Sequence, residues 1–107
     1  DRVFFATNKS SLTTASRATL RKQATYLRKN KKLNVTIEGH ADERGTREYN
    51  LALGERRANA AKDYLMTYGI SGKRISVISY GKEKPINPAS TPLAWSQNRR
   101  SVTVKVN

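Results

Sequence analysis

Leu33-Asn34-Val35-Thr36-Ile37-Glu38-Gly39-His40-Ala41-Asp42-Glu43-Arg44-Gly45-Thr46 is the stretch that decides how this chain folds, because a strand pattern gives way to a helix start within it. Leu33, Val35 and Ile37 alternate with Asn34, Thr36 and Glu38, the period of a strand with one covered face. The run from Gly39 to Gly45 then breaks the strand and delivers Thr46 as the N-cap of a helix. Leu53, Arg57, Ala61, Tyr64, Leu65 and Tyr68 fall on or near one face of that helix, and Gly69 is placed to end it.

Upstream, Val3-Phe4-Phe5 is a short strand running into the polar Thr7-Asn8-Lys9-Ser10-Ser11. A helix from Thr13 or Thr14 repeats Leu20, Ala24 and Leu27 at i, i+4 and i+7, and its last turn is basic, as the helix dipole prefers. Downstream, Ile75–Gly81 is a third strand. Residues 82–98 carry Pro85, Pro88 and Pro92 and form an irregular connection with a helical turn near Leu93-Ala94-Trp95. Val102, Val104 and Val106 alternate with polar neighbours as a fourth strand. The order β-α-β-α-β-β predicts an α/β (α+β sandwich) architecture: a mixed four-stranded sheet, parallel pairing across the two strand-helix-strand crossovers, and helices on one face. No repeat or linker interrupts residues 1–107, which are expected to form a single domain able to bury one modest core.

Composition sets bounds on function. The chain has 21 basic and 8 acidic residues, a net charge of +13, which favours anionic surroundings. Six of the acids, Glu38, Asp42, Glu43, Glu48, Glu55 and Asp63, lie between positions 38 and 63. They either serve a local purpose or balance Arg44, Arg47, Arg56, Arg57 and Lys62 along a helix. With no cysteine, disulfides, thiolate metal sites and cysteine nucleophiles are excluded. No run approaches the roughly 18 apolar residues of a membrane helix. The chain starts at Asp1 without a methionine, so it is expected to be the mature or excised part of something longer, with any targeting segment or lipid anchor upstream.

The segment from Gly39-His40-Ala41-Asp42-Glu43-Arg44-Gly45 through Glu48-Tyr49-Asn50 to Gly54-Glu55-Arg56-Arg57-Ala58 resembles the central motif of the OmpA-like peptidoglycan-binding family. Its wording is close to that family's branch of peptidoglycan-associated lipoproteins of Gram-negative bacteria. Ile78-Ser79-Tyr80-Gly81-Lys82-Glu83-Lys84-Pro85 and Asn98-Arg99-Arg100 continue the match, so the resemblance runs from Val3 to Val106.

What the resemblance implies is non-catalytic capture of the peptide stem of peptidoglycan at its diaminopimelate residue, whose side chain ends in an ammonium and a carboxylate. Recognising that zwitterion needs an acid and a base at fixed separation. Asp42 matches the family's ammonium acceptor and Arg57 its carboxylate clamp; the alternative for Arg57 is a stem packed on the core with its head in water. Asn50 and Arg99 match positions around the ligand, against the alternatives of an Asn bonded to loop backbone and an Arg paired with a helix acid. Thr7 and Asn8 close the other side of the pocket, and Gly45 and Thr46 belong to the loop that follows Asp42. Phe5 and Leu53 are core or pocket wall. The family commonly has Asp directly after the two aromatics of the first strand, where this chain has Ala6, which implies weaker binding.

By resemblance, too, the full-length protein carries a lipid on an upstream cysteine, sits on the periplasmic side of the outer membrane and contacts TolB and other Tol proteins, a system of the cell envelope linked to cell division. A porin's C-terminal domain or a flagellar-motor-type wall anchor would share the ligand. No cofactor and no metal are implied. An enzyme is disfavoured because His40 is the only histidine, nothing stands at zinc-ligand spacing and no serine lies in a nucleophile elbow; His40 itself is expected to be a strand-end residue bonded to backbone. A specific nucleic-acid module is disfavoured because Phe4 and Phe5 are alone among the strands in offering paired aromatics, and the run Arg28-Lys29-Asn30-Lys31-Lys32 is a solvated helix end or a patch facing anionic envelope components.

Overall fold

In the computed structural model, which describes residues 2–106, strand β2 (Val35–His40) is the spine of a four-stranded sheet of order β1-β4-β2-β3. Asp1 and Asn107, the ends of the expected domain, lie outside the described residues. β1 (Arg2–Phe4), β3 (Ile75–Gly81) and β4 (Arg100–Lys105) complete the sheet. Helix α1 (Thr14–Lys29) joins β1 to β2, and α2 (Arg47–Thr67) with a 3-10 turn at Gly72–Arg74 joins β2 to β3. A short α3 (Pro92–Asn98) precedes β4. Register places Val3, Val35, Ile37, Ile75 and Val77 on one sheet face, where they meet Leu20, Ala24 and Leu27 of α1 and Ala58, Ala61 and Leu65 of α2 in one cluster. The opposite face is open, with Phe4, Ile78 and Val104 exposed on it.

The ends of α2 fall where the sequence places them: the side chain of Thr46 accepts from the backbone N–H of Tyr49, and Gly69 ends the helix at φ +86°. Of the two possible starts of α1, Thr13 is the cap, its side chain accepting from the N–H of Ser16. Three expectations are corrected. β2 is not broken at Gly39 but continues to His40, because Gly39 still pairs with both Ser79 and Ser101 and lets the backbone of Gly54 on α2 close over it. The turn near Leu93 is a full α3, since Thr91 caps it and Pro92 suits its first position. Of the two crossovers only β2–β3 gives a parallel pair; β4 lies between β1 and β2 and is antiparallel to both, so those two run in the same direction without pairing. No helix among the described residues is long and apolar enough to cross a membrane.

Candidate functional site

β2 ends where Ala41 donates its N–H to Gly81, and the chain turns into the loop 41–46 that leads to α2. Asp42, 7% exposed, points its carboxylate back over this loop. Its Oδ1 accepts from the backbone N–H of Arg44 at 3.0 Å and from Arg44 Nε at 3.1 Å; its Oδ2 accepts from Arg44 Nη2 at 2.8 Å and from Arg99 Nη1 at 3.4 Å. Burial pushes this carboxyl up, but the bonds from Arg44 and Arg99 outweigh it and hold Asp42 below its ordinary value, so it is ionised at neutral pH.

The loop is tied from several sides. Asn50 Nδ2 donates to the carbonyls of Arg44 and Thr46, and Lys82 Nζ donates to that of Gly45 at 2.8 Å. Gly45 stands at φ +92°, a conformation that a side chain resists. Trp95 of α3 donates its Nε1 to Glu43 at 2.8 Å and presents its ring to the Arg44 guanidinium, 4.3 Å away.

Arg57 is fully buried beneath this loop. Nε donates to the carbonyl of Lys9, Nη1 to that of His40 and Nη2 to that of Ala6, at 2.9, 2.9 and 3.1 Å. One guanidinium thus pins the β1–α1 connection to the end of β2. Burial, then repulsion by Arg99, lowers its pKa to about 10, which still leaves it charged at neutral pH. A guanidinium has five N–H groups, so one on each terminal nitrogen remains beyond these three bonds.

A cleft of about 240 Å³ opens here, lined by Thr7, Asn8, Asp42, Arg44, Gly45, Tyr49, Asn50, Leu53 and Arg57. Six of the expected site residues, Thr7, Asn8, Asp42, Gly45, Asn50 and Arg57, therefore come together. Asn8, at φ +57°, accepts from the Tyr49 hydroxyl, and Thr7 accepts from Arg44 Nη2. Arg99 stands behind Asp42, its Nε donating to the carbonyl of Phe5, and Thr46 is the helix cap; neither lines the cleft. Sequence reasoning missed Arg44 and Tyr49. Arg44 could have been found from its place two residues after Asp42 and next to Gly45, where a tight turn folds a long cation back onto the acid.

Comparison with known proteins bears on this geometry. The family model for the OmpA family matches residues 4–99. This chain belongs to the OmpA family. Peptidoglycan-associated lipoproteins of Rhizobium meliloti and Mesorhizobium japonicum are 57% and 52% identical to it over 97% and 96% of this chain. The chain spans only 59% and 61% of the length of those two relatives. The crystal structure of the peptidoglycan-associated lipoprotein from Burkholderia pseudomallei superposes with a TM-score of 0.94 at 38% identity, covering 97% of this chain and 88% of that one. The C-terminal domain of Helicobacter pylori MotB, at 20% identity and a TM-score of 0.91, covers 100% of this chain and 84% of its own and shares the fold.

In this OmpA-family domain His40 does not bond backbone through its ring, as expected from its place at a strand end. The ring is buried, with Nε2 3.4 Å from Glu38 Oε1, Nδ1 without a hydrogen-bond partner among the described residues and Tyr80 stacked on it at 5.5 Å. Burial first, then Arg100, lowers its pKa to about 4, so it is neutral at neutral pH. Its backbone carbonyl, bonded to Arg57, is what it lends to the site. Among the described residues no three His, Cys, Asp or Glu side chains gather as a metal group.

Proposed function

We propose that residues 1–107 act as one non-catalytic domain that captures the peptide stem of peptidoglycan at a diaminopimelate side chain and so holds the outer membrane to the wall. The observation that carries this reading is an ionised Asp42 walled into a cleft by arginines, with Arg57 lining the same cleft and three of its five N–H groups engaged by backbone carbonyls. The incoming ammonium replaces Arg44 on Asp42; Arg44 can leave because its side chain is 41% exposed, against 8% for its partner. The ligand carboxylate then takes the remaining donors of Arg57 and the freed fork of Arg44, a bidentate geometry that favours arginine. Asn50 and Thr46 hold the loop in register, and Arg99 keeps Asp42 charged.

Relatives called peptidoglycan-associated lipoproteins support peptidoglycan as the polymer bound. Attachment by an N-terminal lipid, a place on the periplasmic face of the outer membrane and contact with TolB and other Tol proteins complete the proposal, since this chain is about three fifths the length of those relatives. The test is calorimetric titration with a diaminopimelate-containing stem peptide beside an amidated stem. A charge-assisted hydrogen bond contributes roughly 1.5–3 kcal/mol, so Asp42→Asn should weaken binding by about one to two decades. Amidation should do the same. Ala6→Asp should tighten binding; equal affinity would refute the expected effect of Ala6. Unchanged affinity in Asp42→Asn, with the fold intact, would end the zwitterion reading.

A further inference from the structure

The charge of the chain is unevenly placed. Residues 2–37 and 84–107 hold thirteen lysines and arginines and no acid, while residues 38–83 hold eight basic and seven acidic residues. Folding joins part of these acid-free stretches at one pole. Val35 at the start of β2 pairs with Lys105 at the end of β4, and Val106 donates its N–H to Asn34, so the tail of β4 lies against the turn that follows α1.

A groove of about 330 Å³ runs there, with Leu27, Leu33 and Val35 along its floor and Lys22 and Lys105 on its rim. A second hollow of about 400 Å³ continues past Tyr26 and Leu33 to Lys31 and Lys32. Tyr26, 46% exposed, stands where the two meet, and Lys105 Nζ donates to its hydroxyl at 3.1 Å. None of Lys22, Lys31, Lys32 or Lys105 joins an ion pair among the described residues. Buried Gln23 also lines the groove, its Nε2 without a hydrogen-bond partner among the described residues.

We propose that this pole docks on the surface of an anionic phospholipid membrane. Lysines on flexible stems meet headgroup phosphates while the stems cover apolar surface. A half-exposed tyrosine amid them suits the headgroup level, where its ring and hydroxyl are both satisfied. An acidic polymer would use the lysines and leave the apolar floor unused; the boundary between headgroup and acyl chain uses both. The six residues of β2 separate this pole from the Asp42 cleft by about 20 Å, so both can be occupied together. The inference does not rest on the ligand proposed for the cleft.

The experiment is co-sedimentation of the whole chain with phosphatidylglycerol–phosphatidylcholine vesicles, with pure phosphatidylcholine vesicles as control. Binding to the anionic vesicles alone, weakened by salt, is expected. Each lysine at the surface contributes about a fivefold factor. Lys22→Glu, Lys31→Glu and Lys32→Glu combined should therefore weaken binding on the order of a hundredfold or more. Arg56→Glu, Lys62→Glu and Lys73→Glu, an equal change of charge elsewhere, should leave most of it. Tyr26→Ser should weaken vesicle binding several-fold and leave binding to double-stranded DNA unchanged. Circular dichroism checks that each variant is folded. Equal loss in the two triple variants, no binding to anionic vesicles, or Tyr26→Ser without effect while DNA binds as tightly as vesicles would each overturn the proposal.

Discussion

Helices α1 and α2 lie on the same face of the sheet and bury different kinds of residue. α1 turns Leu20, Ala24 and Leu27 to the core with only the uncharged Ser16 and Gln23 buried beside them, and leaves its cations in water. The first half of α2 buries Asn50, Gly54 and Arg57 beside Leu53; only its second half, with Ala58, Ala61 and Leu65, returns to an apolar face. The difference teaches where the amphipathic rule is suspended: α2 departs from it only along the turns that floor the cleft, where polar groups satisfy loop backbone in place of filling the core.

The largest test of this contrast is Arg57→Met. It keeps the stem but removes three hydrogen bonds from a charged donor to the carbonyls of Ala6, Lys9 and His40, each worth roughly 1.5–3 kcal/mol, although Ala6 keeps the N–H of Lys9. A loss of about 4 kcal/mol is expected in urea unfolding, whereas Lys22→Met on the exposed face of α1 should stay within about 0.5 kcal/mol. Similar midpoints for the two would erase the distinction.

Next comes Gly39→Ala. A Cβ there would overlap the backbone carbonyl of Gly54, which no side-chain rotation can relieve. Unfolding should be easier by about 3 kcal/mol, with the affinity of the cleft falling as α2 is pushed off β2.

The end of β2 beside the cleft should also be the acid-sensitive part. His40 titrates near 4 in the folded chain against an ordinary 6.5, so the unfolded chain binds the extra proton first. Stability is therefore full above about 6.5 and falls as pH drops toward 4, by up to roughly 3 kcal/mol. Glu38, Arg100 and Lys84 are the charged groups that act on the ring, and Tyr80 stacks on it. Urea midpoints measured from pH 7 to 4 should show this slope, and His40→Gln should flatten it.

The smallest effect separates the two N-caps. Thr13→Ala and Thr46→Ala should each lose about 1 kcal/mol, but only Thr46→Ala should weaken ligand binding, because Thr46 starts α2 from the loop that holds Asp42. Equal affinities in the two variants would show that the loop keeps its shape without the cap.

Much of this was legible beforehand. Alternation in Val35–Ile37 and the spacing of Leu20, Ala24 and Leu27 located β2 and α1, and the run from Gly39 to Ala58 resembled the right family. Arg44 escaped notice because it looked like one cation among several until Asp42 was seen to turn back on it. The end of β2 was misread because glycine breaks strands in general, and only the approach of Gly54 shows why this one belongs inside.

By itself, the sequence determined the types of all the elements but α3, both ends of α2 and the family, since periodicity and capping depend on residues a few positions apart. The tertiary structure alone decided that β4 lies between β1 and β2, that Arg57 binds carbonyls 48 and 51 positions away, and that lysines from α1, the turn after it and β4 share one pole. Those outcomes follow from satisfying buried polar groups and pairing strand edges, and the partners that do so are distant in the chain.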